Sequence, residues 1–140
     1  MEFHHLTPDD ARLRDAYPVL HELRTELTEE AFLELYSQAY AEGYRVVGLF
    51  DEGECRAVAG YHLTHGFLHG RFMYVDDLVT ADRWRSNGYG RALNDYLVTT
   101  AKAAGCSNVQ LDSGTQRTDA HRFYFREDYV ISSFHFLHKL

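Results

Sequence analysis

Strand-like and helix-like patterns of apolar and polar positions follow one another along this chain, and the order of these stretches predicts the fold. Glu2 to Leu6 reads as a short strand. Thr7-Pro8-Asp9-Asp10 supplies an N-cap, a proline at the first helical position and early acids, opening a helix to about Arg24 that Pro18 kinks. A second helix spans Thr28 to Glu42 and ends at Gly43. The runs Arg45 to Phe50 and Arg56 to Leu63 flank Asp51-Glu52-Gly53-Glu54, a β-hairpin turn. After another turn near Gly66 to Gly70, Phe72 to Val79 reads as a third strand of this group. A helix around Ala92 to Leu97 with a capping Gly105, a strand Asn108 to Asp112, a helical segment Asp119 to Tyr129, and a tail Phe134 to His138 that alternates like a terminal strand complete the order βααβββαβαβ. That order implies an α/β sandwich around one mixed sheet.

Between the strand ending at Val79 and the helix beginning near Ala92 lies Arg85-Ser86-Asn87-Gly88-Tyr89-Gly90, an R-x-x-G-x-G element. A glycine-rich turn opening a helix leaves amide N–H groups without intrahelical partners, and the helix dipole adds partial positive charge, so an anion satisfies both. A nucleotide triphosphatase loop is excluded, because Gly90 is followed by Arg91-Ala92 rather than by lysine and a hydroxyl residue. A dinucleotide fold would place its turn after the first strand of a βαβ unit with an acid about twenty residues on, whereas this motif lies past the middle of the chain and the nearest acid at that distance, Asp112, ends a strand-like run of its own.

Arg85 through Arg91 resemble the acetyl-CoA-binding motif of the GCN5-related N-acetyltransferases, Q/R-x-x-G-x-G/A, and Asp119 to Tyr129 resemble that family's A-x-x-F-Y-x-x-x-G-F/Y segment. The two motifs follow one another in the family's order across residues 72 to 139. The resemblance implies a single acetyltransferase domain over residues 1–140, with a mixed, mostly antiparallel central sheet flanked by helices, and acetyl-CoA as co-substrate. It also implies that the amides of Ser86, Asn87, Gly88, Tyr89, Gly90 and Arg91 hold the pyrophosphate beside Arg85, and that the strand edge at Leu78, Val79 and Thr80 pairs with the pantetheine amides. Three positions depart from the pattern: Ser86 replaces a first glycine, Arg117 replaces an asparagine near the cofactor arm, and Asp128 replaces the glycine that ends the tyrosine helix. A left-handed residue is expected at Asp128, since Asn and Asp tolerate what glycine takes freely.

The resemblance casts Tyr124 as the acid that protonates the departing coenzyme A sulfur, and Asp76 as the base or amine anchor. Ordinary packing offers a competing account of Tyr124, which sits between Phe123 and Phe125. Asp76 and Asp77 are adjacent, so strand alternation sends their side chains to opposite faces, one toward substrate and the other toward the packed side. The histidines His62, His65 and His69 do not converge on a metal if the first two lie on a strand, and no metal is expected.

Composition narrows the partners. With 140 residues and 45% hydrophobic content, the chain holds one core. No apolar run reaches the roughly 20 residues of a membrane span, and Met1-Glu2-Phe3-His4-His5 lacks the marks of a signal peptide, so neither a membrane nor export is expected and a cytoplasmic address is the default. Cys55 and Cys106 read as reduced. A net charge of −7 argues against nucleic acid and suits an amine substrate, while Arg83, Arg85 and Arg91 gather where the anionic cofactor is placed. The aromatic tail serves either a homodimer seam or the core. Direct transfer to a small-molecule primary amine in a ternary complex is the leading reading, and residues 119 to 140 resemble the aminoalkylphosphonate N-acetyltransferases in particular. Acetylation of protein lysines or N-termini, and a non-catalytic acyl-CoA sensor, are the alternatives.

Overall fold

The structure, a computed structural model, describes all 140 residues and divides into two compact units, Met1–Gln110 and Leu111–Leu140. Its elements are β1 (Glu2–Leu6), α1 (Leu13–Leu23), α2 (Glu29–Ala41), β2 (Arg45–Asp51), β3 (Glu54–Gly66), β4 (Gly70–Thr80), α3 (Tyr89–Ala103), β5 (Val109–Leu111) and α4 (Thr118–Arg126). A 3-10 turn, Asp82–Trp84, follows β4. The strands form one open sheet in the order β1-β2-β3-β4-β5, and the first three pairings are antiparallel.

Alternation divides the side chains of the sheet between two helical layers. Leu6, Val46 and Val58 join Leu13, Leu20, Phe32 and Tyr36 in one cluster beneath α1 and α2. Phe3 and His5, out of phase with Leu6, take the opposite face: Phe3 stacks on Tyr96 of α3 at 4.3 Å, and His5 shares a hydrogen bond of 2.8 Å with the Tyr96 hydroxyl. Each large side chain buried in these layers contributes about 1.5–3 kcal/mol relative to exposure. One buried hydroxyl ties the layers together. The Tyr36 hydroxyl donates to the Leu6 carbonyl at 2.5 Å and accepts the Val46 N–H at 3.1 Å, tying α2 to β1 and β2.

Helix ends follow their local chemistry. Thr28 caps α2 by accepting the Ala31 N–H at 3.1 Å, and Gly43, in the left-handed region at φ 102°, ends it. The Asp51–Glu54 hairpin has positive φ at both Glu52 (52°) and Gly53 (76°), the requirement of a two-residue turn whose twist matches its strands. Asp128 has φ 65°; the Tyr129 N–H reaches the Tyr124 carbonyl at 3.0 Å and the Asp128 N–H reaches Phe125 at 3.4 Å, closing α4 with an aspartate where glycine is usual.

Two boundaries differ from expectation. The first helix begins at Leu13, because residues 7–10 close a turn of their own (Asp10 N–H to Thr7 O, 2.9 Å) and the Asp10 carboxylate, rather than Thr7, accepts the Arg12 N–H at 2.9 Å. The terminal strand over 134–138 does not form. Alternation fixes only which way side chains point, whereas a strand also needs a backbone partner, and residues 128–140 pair with no strand while Phe134 and Phe136 stand exposed.

Candidate active site

The register of β3 against β4 slips at one place. Gly60 pairs with Asp77 but Tyr61 pairs with Val75, which leaves Asp76 as an extra residue on β4. A bulge of this kind cancels one step of alternation. Asp76 and Asp77 therefore do not face opposite ways, as plain alternation predicts, and both line one cleft of about 720 Å³ between the α1–α2 connection, α2 and the sheet.

The two carboxylates differ in their partners. Asp77 accepts Arg24 Nε at 2.7 Å and the Tyr44 hydroxyl, while the second Arg24 nitrogen donates to the Asp76 backbone carbonyl at 2.9 Å. Burial first, and Asp77 second, push the Tyr44 hydroxyl far up, so it remains a donor. This arrangement needs Gly60: a Cβ there would collide with the Tyr44 hydroxyl and lie 3.0 Å from an Asp77 oxygen. Asp76 instead meets His62, whose Nδ1 lies 2.9 Å from Oδ2. Burial is the largest influence on the Asp76 carboxyl and raises it above the ordinary value, while the hydrogen bond and charge of His62 pull it down. With Asp76 ionised, His62 Nδ1 carries the hydrogen and orients the carboxylate.

Beyond the cleft, β4 leads to the glycine turn. β3 covers one edge of Leu78, Val79 and Thr80 through Ala59, Val58 and Ala57. On the other side β5 has only three residues and begins beside Met73, whose N–H donates to the Asn108 carbonyl at 3.1 Å, so it is too short to run along that edge. The turn itself is braced from several elements. Glu22 of α1 accepts the Asp82 N–H at 2.7 Å, the Asn87 amide donates to the Trp84 and Arg85 carbonyls at 3.1 and 2.9 Å, and the Tyr89 hydroxyl donates to Asp51 at 2.7 Å. The buried Arg56 guanidinium stacks 3.5 Å from the Trp84 ring centroid and pairs with Glu54 at 2.7 Å.

Ser86 and Gly88 both adopt positive φ, 63° and 85°, and Gly88 caps α3 without any side-chain hydrogen bond. The first helical hydrogen bond runs from the Ala92 N–H to the Gly88 carbonyl at 3.0 Å, so the preceding amides at Tyr89 and Gly90 open the helix toward the turn. A Cβ at Gly88 would meet nothing within 4 Å. An open approach, oriented amides and an uncovered strand edge fit a pyrophosphate carrying an extended amide arm. Arg83 and Arg85 are held by Glu54 and by Asp82, the latter at 2.6 Å.

In the C-terminal unit, Arg117 is the N-cap residue of α4, and Tyr124 is buried near that helix's end, its ring 5.5 Å from Phe123 and 5.7 Å from Tyr129. Burial pushes the Tyr129 hydroxyl up to about 12.

Sequence reasoning missed His62, Arg24 and Tyr44 as members of the site. A glycine inside a strand-like run, Gly60, is the signal for a bulge and for close approach of another group, and it was the available clue to the first. Arg24 and Tyr44 follow the ends of helices, and only tertiary structure brings them to β4.

The pattern of the acetyltransferase (GNAT) family matches residues 11–127. The chain is 40% identical over 111 residues to the uncharacterized N-acetyltransferase YhdJ of Bacillus subtilis, spanning 79% of this chain and 78% of that protein. It is 28% identical over 140 residues to the aminoalkylphosphonate N-acetyltransferase of Salmonella typhimurium, covering 96% and 88% of the two chains. An aminoglycoside N-acetyltransferase solved in complex with CoA shares the fold, with a TM-score of 0.86 at 11% identity over 99% of this chain and 93% of that one. This protein belongs to the GNAT family and is an acetyl-CoA-dependent N-acetyltransferase. No helix is long and apolar enough to cross a membrane.

Proposed function

We propose that the whole chain acts as one acetyltransferase domain that acetylates a small primary amine, with Asp76 as the group that gathers the ammonium and accepts its proton and Tyr124 as the acid for the departing thiolate. The observation that carries the amine side is the bulge, which turns a half-buried carboxylate with a raised affinity for protons into the cleft. Bound acetyl-CoA supplies the acetyl thioester. The amides of Ser86 to Arg91 are assigned to its pyrophosphate, the edge of Leu78, Val79 and Thr80 to its pantetheine arm, and Arg117 to a contact with that arm. Arg85 and Arg83 support the anion, because exposed pairs such as Arg85 with Asp82 are worth only about 0–1 kcal/mol and exchange partners readily.

In this reading the ammonium gives one proton to Asp76, the freed amine nitrogen gains the acetyl group, the carbon–sulfur bond breaks as Tyr124 protonates the sulfur, and the second proton shed by the nitrogen passes through solvent to restore Tyr124. Asp77 has a different part. Its carboxylate is engaged by Arg24 and Tyr44, so it fixes the bulge and the α1–α2 connection. The reading includes a cytoplasmic address, supported by free Cys55 and Cys106, and a homodimer, supported by the exposed Val130, Ile131, Phe134 and Phe136 of the tail.

Thiol release measured with acetyl-CoA and a panel of amines tests the reading. Amine-dependent release supports it. Thermal stabilisation by acetyl-CoA with no release to any small amine or peptide would instead identify a sensor, and release with peptides alone would identify a protein acetyltransferase.

A further inference from the structure

From the walls of the cleft we infer the acceptor class: a primary amine carried on an apolar, arylalkyl-type body, in preference to the anionic or polyhydroxylated amines named for related enzymes. This inference rests on the proposed amine transfer and specifies its substrate.

The cleft volume of about 720 Å³ lies within the roughly 300–1,000 Å³ usual for small-molecule sites. Its charge balance favours a cation. Three carboxylates line it, from Glu26, Asp76 and Asp77, against the single guanidinium of Arg24. That guanidinium is already spent on Asp77 Oδ1 at 2.7 Å and the Asp76 carbonyl at 2.9 Å. An acceptor bearing a phosphonate or carboxylate would therefore have to draw Arg24 away from the more buried Asp77 and would bring its charge toward the half-buried Asp76, where Coulomb repulsion is less screened than in water.

The rest of the lining offers little to a sugar. Leu20, Leu23, Leu27 and Val58 present hydrocarbon. Phe32 stacks near Tyr36 at 6.1 Å with planes 9° apart. The Tyr36 and Tyr44 hydroxyls are bound to the Leu6 carbonyl and to Asp77. Several acceptor hydroxyls would lose water here without gaining partners, and each such loss is costly. An aromatic or branched alkyl body loses nothing of the kind. It would occupy the apolar wall while its ammonium reaches Asp76, the β4 carboxylate not committed to Arg24.

The experiment compares kcat/KM at saturating acetyl-CoA for 2-phenylethylamine, 2-aminoethylphosphonate, glucosamine and a short peptide with a free N-terminus. The expected order places 2-phenylethylamine first by roughly a hundredfold, about the discrimination that one or two methylenes of apolar fit provide. Equal or better turnover of the phosphonate, the sugar or the peptide overturns the assignment of the cleft while leaving acetyl transfer standing. Absence of turnover with all four overturns the transfer reading and this inference with it. A second arm uses Leu35→Arg, a cleft residue 56% exposed on α2 whose replacement leaves the core intact. It should lower kcat/KM for 2-phenylethylamine by roughly tenfold and raise that for the phosphonate. An unchanged ratio between the two amines would show that acceptors bind elsewhere.

Discussion

His62 Nδ1 and Asp76 Oδ2 lie 2.9 Å apart across the β3–β4 ladder, next to the point where the bulge interrupts its register. The bulge aims the carboxylate into the cleft and the imidazole fixes its orientation. This pair makes the pH dependence of the enzyme informative.

Because burial raises the Asp76 carboxyl, it takes up a proton at a higher pH than an ordinary aspartate. The acidic limb of kcat/KM should therefore fall above the usual carboxylate range as pH decreases. Asp76→Asn should raise KM for a cationic amine, abolish that limb and move the remaining rise with pH upward, with acetyl-CoA affinity unchanged. A rate profile in Asp76→Asn that overlays the parent would reject the base assignment.

The same shift has a sign for stability. A folded-state carboxyl raised above its unfolded value makes folding less favourable where the group is ionised, and the penalty disappears as pH falls through the folded value. Asp76→Asn should thus equal or exceed the parent in melting temperature at neutral pH, with the difference shrinking in acid. His62→Ala should do the opposite at neutral pH, by leaving the carboxylate half-buried without its donor. Melting curves for both variants at two pH values decide the matter.

Tyr124→Phe keeps the ring beside Phe123 and Tyr129 and removes only the hydroxyl. If Tyr124 is the acid, turnover should fall by roughly ten- to a thousandfold with little change in acetyl-CoA affinity. Parallel losses of stability and rate would mark the residue as packing. Full activity would move the proton source to solvent.

Gly90→Val places a branched side chain in the first turn of α3 and should weaken acetyl-CoA binding strongly while the protein stays folded. Gly88 is a poorer test, because its φ of 85° makes any side chain there cost about 1–2 kcal/mol of folding energy. Calorimetry on Gly90→Val showing parental affinity would remove the glycine turn from the cofactor site.

Asp128→Gly should stabilise the protein by about 1 kcal/mol, since φ 65° is free to glycine and strained for aspartate. Urea denaturation reads this directly. No gain would indicate that the aspartate side chain compensates the strain locally.

Local chemistry explains which of these features were legible in the sequence. Thr28, Gly43, Gly88 and Asp128 each announce a helix end through residues that cap or accept positive φ, and the Glu52-Gly53 turn declares its hairpin. The bulge was not legible in that way. It arises from pairing between β3 and β4, so a rule based on one strand places Asp76 and Asp77 on opposite faces when both line the cleft. Arg24 lies 53 residues from Asp77, and nothing near either residue foretells the contact. The tail misled for the related reason that alternation carries no information about a partner.

Gly60 sets how Asp77 is held. The hydrogen atom it presents leaves room for the Tyr44 hydroxyl, and with Tyr44 seated beside Arg24 the Asp77 carboxylate is held by two donors at once. A methyl group at this position would displace the phenol and leave Asp77 to Arg24 alone. The double hold on Asp77 thus depends on a side chain the protein does not have.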